Sequence, residues 1–385
     1  MRYKSASTSL TDAYQAGSTI GETLKDMAPE VILLFASITF ELEYADFFTG
    51  LYDGLETRDV IVFGGTGDGI YETTMTAHYG VCALGITSDG MTKWGVAVKT
   101  GVGADSLTTA RACASAALEQ LGGKAEWAFV LADGVTADGT CIASGVRDVF
   151  SFPFIGGMTG DDRKFTRSRL FLNGGNIEDG VAILLASGAM PFITNSASGF
   201  LPIGVPGVVG ESDGKTTISI SGLNPLDFIR DQIGKPLAEA DLGILALATY
   251  TDSSLERFYL RSSFRFDMRT GTITTFGSIP SGATIRVSGA DREQLLKAIS
   301  SCITSIVRSG FIPAAAIVVS CAGRKWQLNN RGEEEVQAIQ SAIGNQIPLV
   351  GFPSFGEIGP FLKDDLSYTE SYFHNATCVI CLLGA

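Results

Sequence analysis

The sequence predicts a mixed α/β fold of two related domains, each made of repeated strand–helix–strand–strand units with mixed sheets, and with a β-rich insertion in the second. Three observations predict it. Short apolar runs alternate with segments of helical period along the 385 residues. Glycine, present 46 times, falls at the ends of those runs, as in a protein of many short strands and tight turns. One order of elements also recurs three times: apolar strand, helix, strand ending in glycines and an acid, then a further strand.

In the first copy VILLFAS (31–37) precedes a helical segment at 45–56, then VIVFGGTGDG (60–69) and GVCALGI (80–86). The second runs through WAFVLADG (127–134), a helical segment at 136–150, FPFIGGMTGDD (152–162) and DGVAILLAS (179–187). In the third, AAAIVVSCAGR (314–324) leads to GEEEVQAIQSAIGNQ (332–346), whose three glutamates suit the positive end of a helix. IPLVGFPSFGEIG (347–359) and TCVICLLG (377–384) complete it. The glycine-to-acid gap differs in each copy, so each turn must be built differently.

Between the first two copies lie a strand, a glycine turn and an alanine-rich helix capped by Asp105 or Ser106 and stopped at Gly122. GVGADS (101–106) is a weak dinucleotide fingerprint, because serine replaces its third glycine and no acid ends a following strand at the right distance. No complete G-x-x-x-x-G-K-[ST] phosphate loop occurs. A Gly-, Pro- and Ser-rich stretch at 190–210 sets the expected division into residues 1–195 and 196–385. After it come a strand at 215–223 and a short helix at 224–234. Residues 258–289 alternate as antiparallel strands joined at RTG and PSG, and 291–310 form a capped amphipathic helix.

A net charge of −13 repels a phosphate backbone, so nucleic acid is not an expected partner. The apolar stretch at 181–193 is too short to span a membrane, which takes roughly 20 residues. The first residues lack an apolar leader segment, so a cytoplasmic location is expected. The seven cysteines are odd in number, scattered and set in apolar runs, the pattern of reduced thiols. Cys378 and Cys381 spell C-x-x-C in a strand, where they face opposite sides, so no zinc site is expected. With only His78 and His374 available, a histidine-rich metal centre cannot be assembled, and no cofactor is expected.

The acids in the glycine turns, Asp68, Asp161 and Glu357, carry the functional question. Glycine lets backbone approach a ligand, and a strand's C-terminal edge is where open α/β sheets place their sites. For Asp68 and Asp161, turn capping is the preferred role. For Glu357 a binding role is preferred. Cys321, Gly323 and Arg324 end the preceding strand, Gly356 adjoins the acid, and His374 and Asn375 begin the last strand. If that strand runs antiparallel, Arg324, Glu357, His374 and Asn375 share a cleft. Arg324, Glu357, His374, Asn375, Cys321 and Gly356 are the candidate ligand-binding residues. A guanidinium for a carboxylate, a carboxylate for an ammonium, and amide and imidazole groups suit a zwitterionic small molecule such as an amino acid. Two alternatives stay open: an Arg324–Glu357 ion pair that only pins two loops, and a Cys321–His374–Glu357 thiol triad, against which the apolar neighbours of Cys321 argue. His78 reads as a turn histidine.

These motifs resemble the FIST family, named for F-box and intracellular signal transduction proteins. The N-terminal half resembles the FIST N domain through VILLFAS, VIVFGGTGDG, GVCALGI, FPFIGGMTGDD and GVAILLAS. The C-terminal half resembles the FIST C domain through NPLDF (224–228), GSIPSGATIRV (277–287), SCAGR (320–324), GFPSFGEIGP (351–360) and HNATCVICLL (374–383). Asp68 stands where the family pattern usually has glutamate, which puts a role for it in doubt. The resemblance implies a sensory module that binds small ligands, with amino acids as proposed ligands, often joined to output domains. No room for such an output is expected here, which implies a stand-alone sensor acting through a separate signalling protein. Some relatives bind haem, for which only His78, His374 or a cysteine offers an axial ligand. Oligomerisation is compatible with the sequence, since an apolar sheet edge can be covered within or between chains.

Overall fold

The computed structural model describes residues 1–188, 190–238, 241–242 and 245–385. It is a mixed α/β structure in which the repeated unit is longer than its sequence signature. The first copy comprises β1 (Arg2–Thr8), α1 (Ala13–Leu24), β2 (Val31–Ala36), α2 (Tyr44–Leu55), β3 (Ile61–Thr66), a hairpin of β4 (Ile70–Glu72) and β5 (Met75–Ala77), and β6 (Val81–Thr87). The second repeats this order with β7 (Lys93–Thr100), α3 (Ser106–Leu121), β8 (Trp127–Ala132), α4 (Gly139–Arg147), β9 (Ile155–Met158), the hairpin β10 (Leu170–Leu172) and β11 (Gly175–Ile177), and β12 (Gly180–Ser187). The strand and alanine-rich helix between the first two signatures are therefore the front of the second copy. Asp105 caps α3 by accepting from Thr108 N–H at 2.9 Å, and Gly122 ends it at φ +62°.

The third copy opens with β13 (Phe192–Ala197) and is then interrupted by β14 (Leu201–Asp213), β15 (Thr216–Ile220), α5 (Pro225–Ile233), β16 (Ala246–Tyr250), β17 (Phe258–Asp267), β18 (Thr272–Thr275) and β19 (Thr284–Gly289). It resumes with α6 (Arg292–Arg308), β20 (Ala315–Cys321), α7 (Ala322–Leu328), α8 (Gly332–Ile343), β21 (Leu349–Ser354), the pair β22 (Glu357–Gly359) and β23 (Tyr372–His374), and β24 (Cys378–Leu383). The division expected at 195/196 falls inside β13. Asp291 and Gln294 form a reciprocal capping box on α6. The last strand is antiparallel to its neighbour β20, with Ser320 opposite Cys378.

The inserted strands close into a barrel in the order β14-β15-β18-β17-β16-β19. β17 and β18 form the hairpin expected at RTG. The strands flanking PSG do not pair with each other, because closure gives β18 to β15 and β19 to β14 and β16. Arg261 ties the barrel to the rest. Fully enclosed, it donates to the Phe373 carbonyl at 2.8 Å, the Ser278 carbonyl at 3.2 Å and Thr140 Oγ1 at 3.0 Å.

Each copy's parallel strand pair is buried on both faces, which is why these strands read as continuous apolar runs. The inner faces of the three sheets meet in one core, where Phe35 of the first copy lies 4.4 Å from Phe352 of the third and 6.1 Å from Phe129 of the second, centroid to centroid. The outer faces are covered by α1 and α2, by α3 and α4, and by α6 and α8. The sheets thus stand like the sides of a prism. Each hairpin leaves its own copy: β10 pairs with β3, β22 with β9, and β4 with β21. The exchange is cyclic, so every sheet is completed by another copy. Cys381 faces the central core and Cys378 the helical layer outside it, and all seven cysteines are free thiols. No helix among the described residues is long and apolar enough to cross a membrane.

One glycine in each copy is required by close approach. A Cβ on Gly64, Gly156 or Gly351 would overlap the carbonyl of Leu34, Val130 or Val318, the residue beside it in the parallel pair. Alanine at any of the three is expected to cost on the order of 3 kcal/mol in urea unfolding. Gly90→Ala, at an exposed turn with φ +80° and open space around it, is expected to cost about 1 kcal/mol. Equal losses at both kinds of position would show that the overlap is relieved by an easy backbone shift.

Candidate functional site

The three glycine turns end at one place and are joined in a ring. Asp68 N–H donates to the Pro353 carbonyl at 2.9 Å, Gly160 N–H to Thr66 at 2.9 Å, and Phe355 N–H to Met158 at 3.0 Å. Each copy is thereby bonded to the other two.

The three acids have separate environments. Glu357 is fully enclosed and accepts from Ser354 Oγ at 2.5 Å, Thr377 Oγ1 at 2.7 Å and Thr377 N–H at 3.2 Å. Burial pushes its carboxyl up to about 8, against the pull of those hydrogen bonds. Asp161 pins the loop that follows it by accepting the N–H groups of Phe165, Thr166 and Arg167 at 2.7–3.0 Å. Among the described residues, Asp68 accepts only one hydrogen bond on its carboxylate, from Arg163 N–H at 3.1 Å. Its carboxyl is pushed up to about 7, first by burial and then by the Asp162 charge beside it.

The residues expected to share a cleft divide into three groups. Arg324 is sealed in and makes no ion pair with Glu357 among the described residues. Its Nε donates to Glu335 Oε1 at 2.9 Å, and its remaining nitrogens reach the carbonyls of Ser198, Leu295 and Ala376. The guanidinium therefore pairs with a helix α8 glutamate. His374 is also enclosed: its Nε2 lies 2.9 Å from the Gly359 carbonyl, and burial lowers it to about 4, so the ring is neutral at physiological pH. Cys321 and Asn375 do come together, on the wall of a small chamber that also includes Ser354 and Trp326. Gly356 lies beside Asn375, at φ +151°, where a side chain would strike the Phe373 ring. Burial pushes the Cys321 thiol up, and the neighbouring Glu357 adds to this. No hydrogen bond joins Cys321, His374 and Glu357 to one another among the described residues, so the thiol-triad geometry is not formed.

The open cleft at this edge is built from residues on either side of those expected. It encloses about 390 Å³ and is lined by Asp68 and His78 of the first copy, Asp162 and Arg163 of the second, and Lys325 and Trp326 of the third. Helix α7 starts at Ala322, directly after β20, and successive residues on a helix point about 100° apart. Arg324 therefore goes inward while Lys325 reaches the cleft, where its Nζ donates to the Asp68 backbone carbonyl. Burial lowers the Lys325 amine and raises the Asp162 carboxyl, while the Lys325 charge holds His78 below its ordinary value. The Arg163 guanidinium lies 3.5 Å from the Trp326 ring centroid. Asp162, Arg163 and Phe165 all have positive φ, between 52° and 65°. Such backbone strain in a non-glycine loop beside a cleft is a feature of ligand-holding segments.

Two larger grooves lie elsewhere, and a central charged group of each is already engaged. Glu30 is held by Ser88, Gly90 and Trp94, and Arg147 by Ser144 and the Ser371 carbonyl. Of these three openings, the cleft at Lys325 is the one that joins all three copies.

Two outcomes follow from the buried ionisable groups. Arg324→Ala is expected to cost ~3–5 kcal/mol in urea unfolding by leaving Glu335 charged and unpaired. Arg324→Met combined with Glu335→Leu should recover most of that loss. The Glu357 carboxyl is raised above its ordinary 4.5 in the folded chain, so its contribution to stability is complete below that value and is lost as pH rises through 8. Urea midpoints should therefore fall between about pH 5 and pH 8, against an opposing rise below about pH 6.5 from His374, and Glu357→Gln should flatten this fall, the remainder belonging to Asp68 and Asp162. A fall of the same size in the variant would assign the titration elsewhere.

No curated relative matches the chain. Among solved structures it is similar to a cyanuric acid hydrolase from A. caulinodans at 8% identity and a TM-score of 0.36, covering 100% of this chain and 99% of that one. It is also similar to PurLQS from Thermotoga maritima at 12% identity and a TM-score of 0.19, covering 99% of this chain and 72% of that one. Likeness at those scores carries no argument about fold or chemistry. The family comparison is of another kind: the FIST N domain matches residues 30–222 and the FIST C domain residues 225–360. With both domains matched in order over most of its length, the chain belongs to the FIST family.

Proposed function

We propose that this chain is a cytoplasmic sensor that holds a zwitterionic metabolite of amino-acid size in the Lys325 cleft and passes its occupancy to a separate signalling protein. The observation that carries the reading is the convergence of opposite charges from all three copies, the Lys325 ammonium with the Asp68 and Asp162 carboxylates, around about 390 Å³ of open space. Small-molecule sites are of this size and combine a few convergent polar groups with apolar wall. The ammonium of Lys325 suits a ligand carboxylate, Asp162 suits a ligand ammonium, and the Trp326 ring supplies the apolar wall. FIST domains are associated with sensory and signal-transduction ligand binding, which supports the same reading.

Of the residues expected from sequence, Cys321 and Asn375 line the chamber behind Trp326, with Gly356 beside Asn375. Glu357 braces Ser354, and Arg324 and His374 fix the surrounding backbone. Native mass spectrometry of the full chain tests for a retained metabolite. Titration with the standard L-amino acids tests the site. Lys325→Met and Asp162→Asn are expected to weaken binding about 10- to 100-fold while leaving the melting temperature of the free protein nearly unchanged. Unchanged affinity in both variants would remove the assignment.

A further inference from the structure

Behind Trp326 lies a chamber of about 20 Å³, room for one water-sized group. Its walls include the rings of Phe165, Phe276, Phe355 and Trp326. Phe165 stands at their centre, with ring centroids 4.6 Å from Phe355, 5.7 Å from Phe276 and 6.4 Å from Trp326. Three polar residues interrupt this wall: Ser354, whose hydroxyl donates to Glu357, and Asn375 and Ser262, which are 1% and 4% exposed. Asn375 Oδ1 accepts from Ser262 N–H at 3.2 Å, which sets the orientation of the amide. Asn375 Nδ2 and Ser262 Oγ then have no hydrogen-bond partner among the described residues. Buried polar atoms are almost always paired, so a donor and a hydroxyl left together in an aromatic enclosure point to a third group that completes them. Trp326 is the wall that this chamber shares with the Lys325 cleft.

We propose that the chamber is a side-chain subsite of the cleft that takes a hydroxyl, making the ligand a short hydroxy amino acid of the serine or threonine class. The inference rests on the reading of the cleft as an amino-acid site. The ligand hydroxyl oxygen accepts from Asn375 Nδ2, and its proton is donated to Ser262 Oγ. The volume admits a group of this size and no longer side chain. To admit it, Trp326 tilts on the side where Arg163 covers its ring, and Arg163 belongs to the strained 162–165 loop. A methyl in the same place pairs with neither polar atom, so the chamber selects against alanine and 2-aminobutyrate.

Isothermal titration calorimetry of the full chain with L-serine, L-threonine, L-alanine and L-2-aminobutyrate tests this. The hydroxy amino acids are expected to bind at least ~10-fold more tightly than their counterparts. Ser262→Ala removes an oxygen that has no partner in the protein, so the fold is kept, and the preference is expected to drop below ~3-fold. Asn375→Leu should act in the same direction. Lys325→Met should weaken all four ligands alike and leave the preference intact. Serine binding no more tightly than alanine, or an unchanged preference in Ser262→Ala, overturns the subsite while the cleft reading stands on its Lys325 dependence. Binding by none of the four also overturns the subsite, and titration of Lys325→Met with the remaining amino acids then decides the cleft separately.

Discussion

In each copy the second parallel strand passes its neighbour so closely at one residue that a side chain there would overlap a carbonyl. Gly64, Gly156 and Gly351 meet Leu34, Val130 and Val318 in this way. With bare backbone at these points, Phe129 and Phe352 each reach Phe35 across the prism, and the three strand ends come near enough to bond. The cleft exists because those ends meet. Its wall combines Asp68, Asp162 and Arg163, which lie in or just beyond the bonded turns, with His78, Lys325 and Trp326 from neighbouring segments.

Burial then assigns different work to chemically similar residues. Glu357 and Asp161 sit deepest and spend their oxygens on nearby hydroxyl and N–H groups, so they shape loops. Asp68 has a single partner on its carboxylate among the described residues and lies against Asp162 and Lys325, so its proton is sensitive to what enters the cleft. Arg324 and Lys325, adjacent in sequence, separate in the same manner, one satisfied by Glu335 and backbone carbonyls, the other at the rim.

The strands and helices were legible because continuous apolar runs and caps such as Asp105 and the Asp291–Gln294 pair are local signals. The threefold recurrence was legible for the same reason. The hairpin exchange was not, because β4, β10 and β22 are three residues long and their partners belong to other copies. The barrel order was hidden likewise, since adjacency in sequence suggests β18 beside β19 while closure separates them. At the site, Glu357 drew attention through its flanking glycines, but its partners, Ser354 and Thr377, lie on other strands and loops. In sequence Glu335 is one of three acids at the start of a helix, although its side chain points inward to Arg324. Lys325, beside an arginine, carried no signal of its own, and only the rotation between helical neighbours distinguishes them.

The cyclic exchange of hairpins also bears on how the molecule comes apart. No copy can loosen without stripping a two-stranded edge from the next sheet, whose own hairpin is lodged in the one after. Disorder begun anywhere therefore spreads around the ring, and the prism is expected to melt as one cooperative body, with no partly folded remainder that keeps a single copy intact.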